Sequence, residues 1–562
     1  MNQRILLTIF LVVAVAVFAY FISTTSREAD ILFTNGIIYT LNAERPRAEA
    51  IAVRSGNIVA VGNSEELLSN YKSKEVIDLG GRTAVPGFID AHVHMNGMGQ
   101  MLQSILLVGI KSPEEVAALV HERAQSLRPG EWIYGRGWDQ NLWPEKRFPT
   151  KAILDAAAPD NPLILGRIDG HAIWVNSAAM VLAGVGRETK DPEGGRILRD
   201  ASGDPIGIFI DNAKLLIEDV FPSPTPADIE RNILTAANEC VRAGLTEVHD
   251  MGCGPEIGVY RNLAEQGRLP LRVYVAVAGR QEEWNEWRKS GPLIGFAGDI
   301  LTVRAMKLYM DGALGSRGAA LIEDYSDDPG NRGLTLMSEA EAEAKVSEAL
   351  AAGFQPCIHA IGDRGDHLAL NVLEKVLNGF PKKDYRARIE HAQVLAPRDI
   401  PRFKQLHILP SMQPAHCVSD MAWAEARLGP ERVKGAYAWR SLLETGITIV
   451  GGSDFPNDVM YPLWGFYAAV TRSDATGYPP DGWHGEQKMT REEALKCFTE
   501  WAAFGAFEEH RKGTIDVGKH ADITVLSRDI MTIPPSAILE TAIDMTVVGG
   551  KIVFDRTRIP AP

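Results

Sequence analysis

The chain has 562 residues, of which 45% are hydrophobic and 23% charged, with a formal net charge of −14. That balance fits a large globular protein with more than one domain. The acidic charge and the absence of a basic tract argue against a nucleic-acid partner.

The first element is the run Ile5–Ile22, 18 residues without a charge. As a helix it would span about 27 Å, near the thickness of a bilayer core. A cleaved export signal is the competing reading, but the run ends in "AYFISTTS", a poor small-x-small cleavage site. The expectation is an N-terminal signal or membrane anchor over residues 1–26. The modest charge bias around it places the body outside the cytoplasm, periplasmic or extracellular.

Three β-rich segments follow: "DILFTNGIIYTL", "AEAIAVRSGNIVAVG" and "EVIDLGGRTAVPG", broken by Asn-Gly, Ser-Gly and Gly-Gly. Similar text returns near the C-terminus in "GTIDVGKHADITVLS" and "DMTVVGGKIVFD". The reading is a small β-sandwich built from both ends, residues 30–85 and 510–562, with a larger domain, 86–509, between its halves.

Within 86–509 eight short apolar runs alternate with helical stretches: "VPGFIDAHVH", "GLTEVHD", "LRVYVAV", "VRAMKLYM", "FQPCIHA", "ARIEHAQ", "HILPSMQP" and "ITIVGGSD". Strands alternating with helices predict an α/β fold, a (β/α)₈ TIM barrel. The gap after the first run is too long for one helix, so about 110–225 reads as an inserted subdomain.

Several runs end in metal-ligating side chains. The first ends in His92 and His94, the fourth carries Lys307, the fifth and sixth carry His359 and His391, and the eighth ends in Asp454. Barrel strands converge at their C-terminal ends, and alternate residues share a face, so His92 and His94 point the same way. Imidazoles with a carboxylate suit Zn²⁺ and similar divalent ions. A lone histidine at a strand end is more often a hydrogen-bonded core residue. The ordered set, rather than any single member, points to a metal site. The five cysteines are scattered without CxxC spacing and read as neither a disulfide framework nor a thiolate zinc site. The glycine-containing "GRGWDQ" and "GALGSRG" lack phosphate-loop spacing, and Ser453 lacks a nucleophile elbow.

These residues, with the split β domain, "PGFIDAHVH" and "GSDFP", resemble the amidohydrolase superfamily over nearly the whole chain after residue 26. "GRGWDQNLWP", "DGHAIWVNS", "MKLYMDGALGSRGA", "IHAIGDRG", "RIEHAQ" and "SMQPAH" resemble, within it, a subgroup that includes N-substituted formamide deformylase. The resemblance implies one or two divalent ions, with zinc first among the candidates. His92, His94 and Asp454 would hold the more buried ion, and His359 and His391 the second. Lys307, carbamylated, would bridge them; the alternative is a salt-bridged lysine beside a single ion. An unmodified ammonium has no lone pair to offer a metal.

Asp454 would move the proton, and Lys307 counts with it among the catalytic residues. His171, Trp138, Arg317 and His416 are candidate substrate contacts, with Trp174, Asn176 and Asp139 beside them. The implied reaction is hydrolysis of a non-peptide carbon–nitrogen bond, an amide, in a small molecule. Hydrolysis of another C–N or C–O bond, such as a cyclic amide, or deamination is the alternative, and a non-catalytic binding protein is a third class. A homodimer is one arrangement such a chain could take.

Overall fold

The computed structural model describes residues 27–558 apart from 168–171, 193–194, 223, 280–281 and 382. The chain divides into two compact units, one of residues 96–236 and one comprising everything before and after it. The insertion is thus wider at both ends than the sequence suggested.

In the larger unit both chain ends build two sheets. One orders Asn57–Gly62, Ala50–Arg54, Arg27–Thr34 and Tyr71–Asp78; the other orders Lys551–Asp555, Ile543–Val548, Ile523–Leu526, Thr83–Pro86, Ile37–Tyr39 and Arg47–Ala48. Phe33, Ile51 and Val53 of the first pack with Ile38, Ile523, Val525 and Val547 of the second in one buried cluster. Thr83–Pro86 pairs antiparallel with Ile523–Leu526, so residues over 400 positions apart share a sheet.

Eight parallel strands form the nearly closed barrel: β1 Phe88–Val93, β2 Leu245–Cys253, β3 Arg272–Ala278, β4 Leu301–Tyr309, β5 Gln355–Ala360, β6 Arg388–His391, β7 Leu409–Met412 and β8 Val450–Gly451. All seven residues of β3, "RVYVAVA", are buried, as a strand covered on both faces requires. The helices between strands carry their own start signals. Ser338 accepts the N–H of Glu341 at the head of Glu339–Ala351.

Closure between β8 and β1 is made just past the end of β8. The Asp454 N–H donates to His92 O at 2.7 Å, and the His94 N–H to Phe455 O at 2.9 Å. Asp90 locks the seam, accepting from Ser453 N at 2.9 Å and Ser453 Oγ at 2.6 Å. Burial raises the Asp90 carboxyl to about 7 despite these donors. The seam has no spare volume: a Cβ on Gly452 would lie 2.6 Å from His92 N.

The inserted unit holds a sheet ordered Gly195–Arg199, Pro205–Asp211, Ala172–Val175, Leu163–Arg167, Ile133–Trp138 and Ile105–Leu106. Trp138, Trp143 and Trp174 meet in its core with centroids 6.1 Å apart. All five cysteines are buried and free.

The membrane expectation is corrected. Among the described residues no helix is long and apolar enough to cross a membrane. The longest of them, Pro226–Arg242 and Asp363–Gly379, have 17 residues and carry charges along their length. The Ile5–Ile22 run lies outside the described residues, as does the signal it was read as. With no such helix among the described residues, nothing in the structure places the body outside the cytoplasm.

Candidate active site at the barrel mouth

The alternation of β1 sends His92 and His94 to one face, with Nε2 of each near the same carboxylate. Asp454 Oδ1 is 3.1 Å from His94 Nε2 and 3.6 Å from His92 Nε2, and its Oδ2 is 3.8 Å from His416 Nε2. Lys307 Nζ lies 3.1 Å from His92 Nε2. The His391 ring is 4.7 Å from that of His92 and 4.6 Å from that of His359. The residues read as ligands therefore meet in one place, although they come from five different strand ends.

Two of them reach it through unusual backbone. His391 has φ 75° and Asp454 φ 62°, left-handed values rare outside glycine and concentrated at functional sites. The turn at the end of β6 swings His391 off the alternation of its strand.

Each imidazole is oriented from behind. His92 Nδ1 contacts Glu390 Oε2 at 2.7 Å, His94 Nδ1 the Met251 carbonyl at 3.0 Å, and His391 Nδ1 Gln413 Oε1 at 2.8 Å. With Nδ1–H donated to an acceptor, Nε2 keeps its lone pair for the mouth. Among the described residues, His359 Nε2 and Asp454 Oδ1 are buried with no hydrogen-bond partner. Two sets of three, His92–His94–Asp454 and His391–His416–Asp454, each bring their ligand atoms within 4.8 Å of one another. A nitrogen-and-oxygen donor set with unsatisfied buried atoms and tied-back rings fits a divalent cation. His359 and Lys307 lie in neither set, and His359 Nε2 faces Asp311 Oδ1 at 3.8 Å.

The electrostatics agree. Burial, then the Lys307 charge, pushes His92 down to about 4, and burial takes His359 to about 3. Both are neutral imidazoles near neutral pH, the form that ligates. Burial also lowers Lys307 towards the neutral amine. For Asp454 burial alone would raise the pKa. The His94 ring and the facing imidazoles of His92, His391 and His416 outweigh it and hold the carboxyl well below its ordinary value.

The expected substrate contacts divide. His416 sits at the mouth, its ring parallel to that of His391 at 6.1 Å. Arg317 is already paired within its loop, Nε 3.1 Å and Nη2 2.9 Å from the carboxylate of Asp327. Trp138 is wholly buried in the core of the inserted unit and donates its indole N–H to Leu165 O at 2.8 Å, which accounts for it as packing. Trp174 likewise donates to Thr150 O at 3.2 Å. Asp139 pairs with Arg167 at 3.1 Å. Asn176 caps the helix Ser177–Leu182 through the Ala179 N–H. His171 lies outside the described residues.

Glu390 and Gln413 were not anticipated. Glu390 was visible in principle: two charged residues, Arg388 and Glu390, alternate in a four-residue strand that is otherwise fit only for a barrel interior.

A family model described as the amidohydrolase family matches residues 75–554. The chain belongs to the amidohydrolase family. Over 94% of this amidohydrolase and 99% of the other chain, it is 35% identical to YtcJ of Bacillus subtilis, a protein named as an amidohydrolase. It is 27% identical to N-substituted formamide deformylase of Arthrobacter pascens, covering 94% of this chain and 99% of that one. An uncharacterized metal-dependent hydrolase from Pyrococcus horikoshii superposes with a TM-score of 0.75 at 27% identity, covering 90% of this chain and 99% of that one. As a member of that family the chain is a hydrolase, and its cluster of histidines and Asp454 could hold a metal ion.

Proposed function

We propose that this amidohydrolase cleaves a non-peptide carbon–nitrogen bond, an amide, in a small molecule, with Asp454 moving the proton. The observation that carries the reading is the carboxylate of Asp454 set between two imidazole groups, 3.1 Å from His94 Nε2 on one side and 3.8 Å from His416 Nε2 on the other. The likeness over nearly the whole chain to a protein named for deformylating N-substituted formamides supports an amide with a small acyl group.

His92, His94, His391, His416 and Asp454 would hold a divalent cation, zinc being the first candidate, with His359 beside them. When bound, such an ion supplies Lewis acidity, making water nucleophilic near neutral pH and polarising a carbonyl. Asp454, held ionised, would accept a proton from the attacking water and return it to the nitrogen as the C–N bond breaks, leaving a carboxylic acid and an amine. Buried Lys307, as its neutral amine, would add to CO₂ and release one proton to solvent, giving a carbamate beside His92 Nε2. Glu390, Met251 O and Gln413 hold the rings while this happens.

Purified chain loaded with Zn²⁺ should release amine and acid from N-formyl or N-acyl amides and lose that activity to a chelator. Turnover of esters or amino-heterocycles with none of any N-formyl, N-acyl or cyclic amide would overturn the amide assignment.

A further inference from the structure

Beneath the mouth runs a line of charged groups for which the proposed hydrolysis needs no reacting role. Arg388 and Glu390 project from β6 into the barrel and are completely buried. Arg388 Nε lies 2.7 Å from Glu390 Oε1, and Nη2 donates to Glu390 Oε2 at 3.0 Å. The same Nη2 reaches the Ala91 carbonyl of β1 at 2.6 Å and Ser411 Oγ of β7 at 2.8 Å. Nη1 lies 3.1 Å from His249 Nδ1 on β2. One guanidinium therefore ties together β1, β2, β6 and β7.

The line continues away from the mouth. His249 Nε2 is 3.2 Å from Glu247 Oε1; Glu247 pairs with Lys512, which also contacts Glu508 Oε2 at 2.5 Å. Burial and Arg388 push His249 well below its ordinary value, so its ring is neutral. Arg388 can only donate, so His249 Nδ1 accepts and Nε2–H donates to Glu247. At the other end Glu390 can only accept, so His92 Nδ1 carries the proton. Every hydrogen along the line has one position.

We propose that the Arg388–Glu390 pair is a positioning device that fixes the tautomer and angle of His92, keeping its Nε2 lone pair on the cation site. Burying such a pair is costly relative to apolar packing, so stability alone gives it no reason to exist. Its place directly behind a ligand gives it one: a carboxylate behind a ligating imidazole raises the basicity of the ring and holds its direction. The inference rests on the reading of His92 as a ligand.

The test uses the full chain stripped with a chelator, with zinc affinity measured by competition and the melting temperature of the stripped protein measured alongside. Glu390→Gln keeps the acceptor and removes the charge. It should lower zinc affinity about 10- to 100-fold. Ser411→Ala removes one anchor of Arg388 with little change of volume, and should lower affinity about 2- to 10-fold, the worth of one hydrogen bond. If Glu390→Gln does not fold, Ser411→Ala decides. A merely structural role would lower the melting temperature and leave zinc affinity at the wild-type value, and that result overturns the proposal. Wild-type protein that binds no zinc would instead sink the ligand reading beneath it.

Discussion

Asp454 Oδ1 stands 3.1 Å from His94 Nε2, and its backbone N–H donates to the carbonyl of His92 at 2.7 Å. One residue thus closes the barrel with its main chain and faces His94 and His92 with its side chain. Asp454→Asn keeps the shape and removes the base. Hydrolysis should fall about 10²- to 10⁴-fold in kcat, the usual worth of a positioned proton acceptor, with circular dichroism unchanged. Unaltered kcat would remove Asp454 from the reaction.

Lys307 is buried with no hydrogen-bonded carboxylate among the described residues, its Nζ 3.1 Å from His92 Nε2. Holding an amine there costs stability. Lys307→Met should leave the melting temperature equal or higher while abolishing hydrolysis, the trade-off seen where a functional group is kept against its burial cost. A lower melting temperature with retained activity would mark Lys307 as structural.

Gly452 sits where β8 meets β1, and a Cβ there would press on His92 N at 2.6 Å and on His92 Cβ at 2.9 Å. Gly452→Ala should destabilise by about 1–3 kcal/mol and weaken metal binding, because the strand it displaces carries His92 and His94, the proposed ligands. Denaturant unfolding and metal titration of the same sample check both halves.

How much of this could be read beforehand differs from residue to residue. His92 and His94 were legible because an apolar run ending in HxH has few other uses, and Lys307 and His359 because strand alternation orders them. His391 and Asp454 were legible only by their place in the series, since their left-handed backbone carries them to the mouth. Glu390 was missed because its importance lies in a contact 298 positions away, with His92. Trp138 could not be placed beforehand, because a tryptophan in a core and one in a pocket look alike until the partner of the indole N–H, here Leu165 O, is known. The two-ended β domain was legible from repeated Gly-broken strands at both termini. The apolar run at residues 5–22 suggested an anchor through hydropathy alone.

Away from the site, Thr490 and Glu493 form a reciprocal cap on the helix Arg491–Cys497. Arg440, first among the causes, holds Glu493 down to about 2 from an ordinary 4.5. A carboxylate depressed in the folded state adds stability above its unfolded pKa and loses it as pH falls through the folded one. Glu493→Gln should therefore be less stable than wild type at pH 7. The gap should shrink below about pH 4.5 and vanish near pH 2. Thr490→Ala should cost about 1 kcal/mol. Urea titrations across that range check the sign.

The central claim is that His92, His94, His391, His416 and Asp454, gathered at the barrel mouth, hold a catalytic divalent ion, and elemental analysis tests it most directly. Wild-type chain purified without chelator, and His92→Ala beside it, should be assayed for bound metal and for amide hydrolysis on the same sample. Wild type should hold at least one divalent ion per chain, and His92→Ala should lose metal and hydrolysis together. Wild-type protein that hydrolyses amides while holding no divalent ion would contradict the account.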